Sequence, residues 1–207
     1  MKTLFVEARY SKEIKLDGSI SEKLPGKVGL VSSVQFMDSL ALIKKQLRGR
    51  AVIGGQVLGC DVRNAEKIRN RVEAFLYIGD GKFHPMGIAI KTKKMVFTFN
   101  PYSNSFKKIE KKDIEDYEKR RKAAMVKFLH ADNVGVLVSA KKGQYYDIKK
   151  LASLEKRYKN KRFYRFIADT IDYRQLENFP FIDAWVNTAC PRIEEDIRAV
   201  NIDELVC

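Results

Sequence analysis

The chain has 207 residues, of which 45% are hydrophobic, room for one large domain or two of about 100 residues. No apolar run approaches the roughly 20 residues needed to span a bilayer, and Glu7 and Arg9 interrupt the stretch where a secretory signal would continue its apolar core, so a soluble, cytoplasmic protein is expected. Forty Lys and Arg against 26 Asp and Glu give a net charge of +14, concentrated in runs at Lys91 to Lys94, Lys107 to Lys112, Lys119 to Lys122 and Lys156 to Arg162; such runs suit a polyanion or an acidic partner, and equally a solvated surface.

In chain order, Val28-Gly29-Leu30-Val31-Ser32-Ser33 reads as a buried strand, followed by a helical spacing of Phe36, Leu40, Ile43 and Leu47. A second strand, Ala51-Val52-Ile53, ends at Gly54-Gly55, and a third, Ala74 to Ile78, stops at Gly79-Asp80-Gly81. Met95 to Phe99 and an Asn100-Pro101 break close this part of the chain. A charged helix then runs from about Asp113 to Leu129, with Ile114, Tyr117, Ala124, Met125 and Phe128 as its apolar face. The order starts again with Val134 to Ser139, a helix through Ile148, Leu151 and Leu154, a strand from Phe163 to Ala168, and another over Ala184 to Asn187. Gly29 lies 47 residues before Leu76 and Gly135 lies 49 before Ala184, so the chain reads as two copies of one unit. Continuous apolar strands alternating with helices predict α/β architecture: two repeated parallel-sheet units with flanking helices, over 1–105 and 106–207.

Two of the three cysteines sit in turns after apolar runs, Cys60 in Gly54-Gly55-Gln56-Val57-Leu58-Gly59-Cys60-Asp61 and Cys190 in Asn187-Thr188-Ala189-Cys190-Pro191-Arg192. Open α/β folds build sites at the ends of strands, so two thiols in matching places are candidate ligands or nucleophiles. In a reducing compartment, three such distant cysteines read as thiols or metal ligands rather than as a disulfide framework. Gly54-Gly55-x3-Gly59 is not a dinucleotide fingerprint, and a tight packing turn explains its glycines equally well. Asp80 and His84 follow a predicted central strand, but with His130 as the only other histidine a His-rich metal site is not expected. Neither Gly-x-Ser-x-Gly nor Cys-x-x-Cys is present. Thiolates supplied by separate α/β units suit a soft metal or an iron–sulfur cluster.

Three stretches resemble the archaeal and eukaryotic family of diphthamide-synthesis 3-amino-3-carboxypropyltransferases: Gln56 to Ala65, Tyr77 to Pro85 and Trp185 to Ile193. Val6 to Tyr10, Val34-Gln35-Phe36 and Gly143-Gln144 are family-like as well, so the resemblance covers nearly the whole chain. It implies three repeated α/β domains in a triangle, each giving one cysteine to a 4Fe-4S cluster whose open iron engages S-adenosylmethionine. An aminocarboxypropyl radical then attacks a histidine of translation elongation factor 2. Carried onto this sequence, it makes Cys60 and Cys190 the cluster ligands of the second and third domains, and Gln35, Gln56, Asp61 and His84 residues near the cofactor. The first domain and its cysteine have no counterpart here, so a homo- or hetero-oligomeric partner supplying them is expected; no membrane is involved and no direct nucleic-acid binding is required. Cys207 matches no family ligand and is expected to be a terminal thiol. The alternative is a noncatalytic subunit that docks to elongation factor 2 or to an active homologue.

Overall fold

Strand formation in this chain follows its unbroken apolar runs, which in the computed structural model become the centres of two separate sheets. The structure describes residues 4, 6–141, 148–195 and 197–206; Gly143-Gln144 and Cys207 lie outside them. Two units emerge, Met1–Ile114 and Glu115–Cys207. The first extends past 105 because the segment that follows pairs back onto its sheet. No helix among the described residues is long and apolar enough to cross a membrane.

The first unit contains α1 (Gly18–Lys23), β1 (Val28–Ser32), α2 (Ser39–Gln46), β2 (Ala51–Gln56), α3 (Arg63–Ile68), β3 (Ala74–Ile78), α4 (Phe83–Thr92), β4 (Met95–Asn100) and β5 (Ser105–Lys108). The sheet order is β2-β1-β3-β4-β5, parallel except for the β4/β5 pair. Every residue of β1 and β3 is buried, as expected for parallel strands covered on both faces. On one face Val28, Leu30, Ala74, Leu76 and Ile78 pack with Phe36, Leu40, Ile43 and Leu47, joined by Ile14, Ile20 and Leu24. Burying such side chains contributes about 1.5–3 kcal/mol each, which makes this layer the unit's main store of stability. The single helix expected through Phe36 to Leu47 is a 3-10 turn over Val34–Phe36 followed by α2. On the other face α3 comes close enough that a Cβ on Gly29 would lie 2.7 Å from the Phe75 ring and 3.0 Å from Ile68.

After β5 in the sequence, α5 (Lys111–His130) begins in the first unit and ends in the second. The second unit continues with β6 (Asn133–Ser139), α6 (Ile148–Arg157), β7 (Arg162–Ala168), β8 (Ala184–Asn187) and β9 (Ala199–Asn201). Its order, β7-β6-β8-β9, is all parallel and repeats the β2-β1-β3-β4 order of the first unit. Phe128 of α5 and Leu151 and Leu154 of α6 pack on Val134, Val136, Val138, Ala184 and Val186.

The repeat holds down to single positions. Gly29 pairs in register with Phe75 and Gly135 with Trp185, and a Cβ on Gly135 would run into the Trp185 ring as one on Gly29 would into Phe75. The equivalent positions are therefore Phe75 and Trp185, each one residue from the Leu76 and Ala184 matched by sequence spacing. Gly→Ala ordinarily stabilises by reducing unfolded-chain entropy, whereas overpacking costs about 1–3 kcal/mol. Gly29→Ala and Gly135→Ala are each expected to lower stability by about 1–3 kcal/mol in urea unfolding; an unchanged or raised midpoint would show that the rings yield freely.

Candidate functional site

A parallel strand order that reverses at its centre leaves a crevice at the strands' carboxyl ends, and most of the expected site residues of the first unit follow those ends. After β2, Val57 donates its N–H to the Ser32 carbonyl at 2.9 Å and is buried. Leu58 and Asp61 then exchange backbone hydrogen bonds of 2.9 and 3.1 Å, closing a tight turn with Gly59 and Cys60 at its crown. Two glycines press this turn onto α4. A Cβ on Gly87 would lie 2.6 Å from the Gly59 carbonyl oxygen, and one on Gly59 would enter the Phe83 ring. The Cys60 side chain is thereby exposed, and it is not in a disulfide.

Beside the turn, a cleft of about 350 Å³ is lined by Gln56, Leu58, Asp61, Arg63, Asn64 and Lys67. Asn64 donates from Nδ2 to the Gln56 carbonyl at 2.8 Å. Arg63 grips Asp61 with Nε to Oδ1 at 2.9 Å and Nη2 to Oδ2 at 2.5 Å, and its N–H donates to Oδ1 at 3.1 Å. Those hydrogen bonds hold the Asp61 carboxyl down at about 2, so it is ionised throughout the physiological range.

Of the expected cofactor residues, only Gln56 and Asp61 share this cleft. Gln35 is exposed in the 3-10 turn after β1, where its carbonyl accepts from the Tyr10 N–H at 2.8 Å. His84 stands in the first turn of α4, its ring 5.6 Å from Phe83 and 5.9 Å from Tyr77. Asp80, after β3, accepts from Asn100 Nδ2 at 2.7 Å. Beneath it, burial pushes the Tyr77 hydroxyl up to about 12, against a lowering contact with Ser33, so Tyr77 stays a neutral donor. Ser32 Oγ, at the end of β1, is buried without a hydrogen-bond partner.

In the second unit Cys190 is half-buried in the loop after β8 and is not in a disulfide. Asn187 organises that loop. Its Oδ1 accepts from the Ala189 N–H at 2.9 Å, while Nδ2 donates to the Cys190 carbonyl at 3.1 Å and to Asn201 Oδ1 at 2.8 Å. Thr188 Oγ1 donates to the Leu137 carbonyl at 2.8 Å, tying the loop to β6. A cleft of about 220 Å³ places Ser139, Lys141, Asp169 and Arg192 around Cys190. The cysteines do not occupy matching places in the repeat: Cys60 follows its unit's second strand, an edge, and Cys190 follows β8, the counterpart of β3. Both nonetheless lie at carboxyl ends, where backbone direction changes and side chains are released from the sheet.

Arg63, Asn64, Lys67, Lys141, Asp169 and Asn187 were not singled out by sequence reasoning. Lys141, Asp169 and Asn187 stand at or just after strand ends, where a list of flanking residues would have found them, whereas Arg63, Asn64 and Lys67 lie on α3 and reach the cleft from a helix. Soft thiol donors fit an iron–sulfur group. Among the described residues, however, no group of three or more His, Cys, Asp or Glu side chains gathers to hold a metal ion, and each unit brings one described cysteine.

Residues 1–198 match the family model described as putative diphthamide synthesis protein. The 2-(3-amino-3-carboxypropyl)histidine synthase of Pyrococcus horikoshii is 35% identical over 94% of this chain and 60% of its own length. That of Methanocaldococcus jannaschii is 32% identical over 95% of this chain and 57% of its own. The crystal structure of Dph2 from Pyrococcus horikoshii with a 4Fe-4S cluster superposes with a TM-score of 0.74 at 30% identity, covering 91% of this chain and 59% of that one. The chain spans about 60% of the length of these relatives. With its family model matched over nearly its whole length and its sheets matched in space, the chain belongs to the diphthamide-synthesis family.

Proposed function

We propose that this chain is part of a transferase that moves the 3-amino-3-carboxypropyl group of S-adenosylmethionine onto a histidine of translation elongation factor 2, with Cys60 and Cys190 as thiolate ligands of a 4Fe-4S cluster. One observation carries the reading: each thiol sits in a hydrogen-bonded loop at the carboxyl ends of its own parallel sheet, beside a polar cleft. The two units correspond to the family's middle and C-terminal domains, and a partner supplies the further ligation. The reducing cytoplasm, which keeps thiols available, is the fitting compartment.

When bound, the cluster supplies the electron that breaks the sulfonium's bond from sulfur to the γ-carbon. The chain's own residues hold and orient the substrate. The Asp61–Arg63 pair presents a polar wall of this cleft to the sulfonium and the α-ammonium, while Lys67 on the same cleft offers a cation to the α-carboxylate. Gln56 adds an amide to that cleft, and Gln35 and His84 contribute from neighbouring positions on the same edge. Around Cys190, Lys141, Arg192 and Asp169 repeat this mixture of charges.

Anaerobic reconstitution of the complete assembly with iron and sulfide tests the ligand assignment. Cys60→Ala and Cys190→Ala are each expected to lose thiolate-to-iron absorption and transfer activity with unchanged circular dichroism. Full transfer by Cys60→Ala would instead favour the noncatalytic docking subunit. Gly87→Ala displaces the Gly59 carbonyl without touching either thiol, and its cluster occupancy should fall several-fold while both sheets persist; undiminished occupancy would mean that the turn's seat on α4 does not matter.

The Asp61–Arg63 pair makes a separate prediction about pH. A carboxyl depressed on folding adds its contribution above the unfolded value of 3.8 and loses it as pH falls towards 2. Carboxyl-resolved NMR should find Asp61 titrating near 2, and Arg63→Ala should return it towards 3.8. An unmoved titration in the variant would show that Arg63 does not hold the charge.

A further inference from the structure

The lysine runs at Lys91 to Lys94 and Lys107 to Lys112 are separated in sequence, yet the β4/β5 hairpin brings them together. β5 runs antiparallel to β4, with Phe97 opposite Lys108, and the Ile109 N–H donates to the Val96 carbonyl at 2.9 Å. The start of β4 and the end of β5 therefore meet at the amino edge of the sheet. Strands of five to six residues, rising about 3.3 Å per residue, put this edge about 17–20 Å from the carboxyl edge that carries Cys60. A partner engaged here does not compete with the proposed reaction site.

Between the hairpin, α4 and the start of α5 runs a groove of about 360 Å³. Its apolar wall includes Met95, Val96 and Ile109, and Met95 is 45% exposed, a large apolar side chain left in water at the mouth of a basic groove. Lys93, Lys94, Lys108 and Lys111 line the same groove against a single acid, Glu110. Asp113, the next acid along α5, is taken by Lys82 at 3.1 Å, which lowers its carboxyl below the usual range. The excess of lysine over acid along this wall, Lys94 and Lys108 included, favours a negatively charged occupant.

We propose that this groove docks an acidic segment of a protein partner whose apolar side chains cover Met95 and whose carboxylates face the lysines. Charge complementarity fixes the sign of the occupant. The apolar wall favours a peptide over a nucleic acid, because no Tyr, Phe or Trp lines the groove to stack a base. The proposal does not rest on the cluster reading, since peptide docking at the amino edge needs no iron.

Fluorescence anisotropy on the full chain, using a labelled peptide of glutamates and leucines, polyglutamate and an oligouridylate, distinguishes the occupants. The glutamate–leucine peptide is expected to bind most tightly and to weaken as salt rises. Met95→Asp should reduce its affinity about tenfold, through lost apolar contact and added repulsion, while affecting polyglutamate less. The double variant Lys94→Glu, Lys108→Glu should weaken both peptides by at least that factor, and it keeps the test open should Met95→Asp unfold. Equal or tighter binding of the oligouridylate would overturn the proposal in favour of a nucleic acid. Peptide affinity indifferent to Met95→Asp would reduce the groove to a nonspecific basic surface. Sedimentation showing dimers that Met95→Asp dissociates would assign the groove to a second copy of the chain.

Discussion

Parallel pairing around one central strand in each sheet is the constraint from which the rest follows. β1 lies between β2 and β3, and β6 between β7 and β8, all running the same way. Such pairs need crossover connections, so strand beginnings collect on one edge and strand ends on the other. The ends carry the loops of Cys60, Asp80 and Cys190, released from the hydrogen-bond ladder and free to hold chemistry. The first sheet's beginnings receive the returning β5 and its lysines. One topological fact thus separates a polar, thiol-bearing edge from a basic, apolar one.

Close approach through glycine is the second requirement, and it serves packing and the candidate site alike. Gly29 lets Phe75 and Ile68 close over β1, and Gly135 does the same for Trp185 over β6. Gly59 and Gly87 let a loop and a helix touch backbone to backbone, which sets the turn on which Cys60 stands. The two units differ in how the second face of the sheet is covered. The first places α3 and α4 there; the second packs Phe166 edge-on against Phe179 and Trp185, at 4.6 and 4.9 Å between ring centroids.

The strands and the repeat were legible in the sequence because fully buried parallel strands are near-continuous apolar runs, as in Val28 to Ser32, Ala74 to Ile78 and Val134 to Ser139, and Gly29 and Gly135 recur at the same place in two of them. α4 was not legible, because Pro85 and Gly87 disguise it. Pro85 is tolerated in a first helical turn, where its missing N–H has no intrahelical acceptor, and Gly87 is needed for the Gly59 contact rather than for the helix. β5 was hidden by Lys107 and Lys108, since an antiparallel edge strand can be half polar. At the candidate site, residue type and strand position singled out Cys60 and Cys190, and the family resemblance added Asp61. The partnership of Asp61 with Arg63 and the role of Asn187 as a loop organiser depend on side-chain directions that spacing does not encode.

How the proposed cluster relates to folding follows from where the cores lie. Zinc fingers depend on metal because their cores are too small to fold alone, so the metal's binding energy becomes folding energy. Here each unit has a core of its own: Leu30, Leu76 and Phe36 with their neighbours in the first, and Phe128, Val136 and Leu154 with theirs in the second. Neither core includes a cysteine. A cluster bound at these loop thiols, exposed or half-buried and outside both cores, would then add its binding energy to folds that already stand without it.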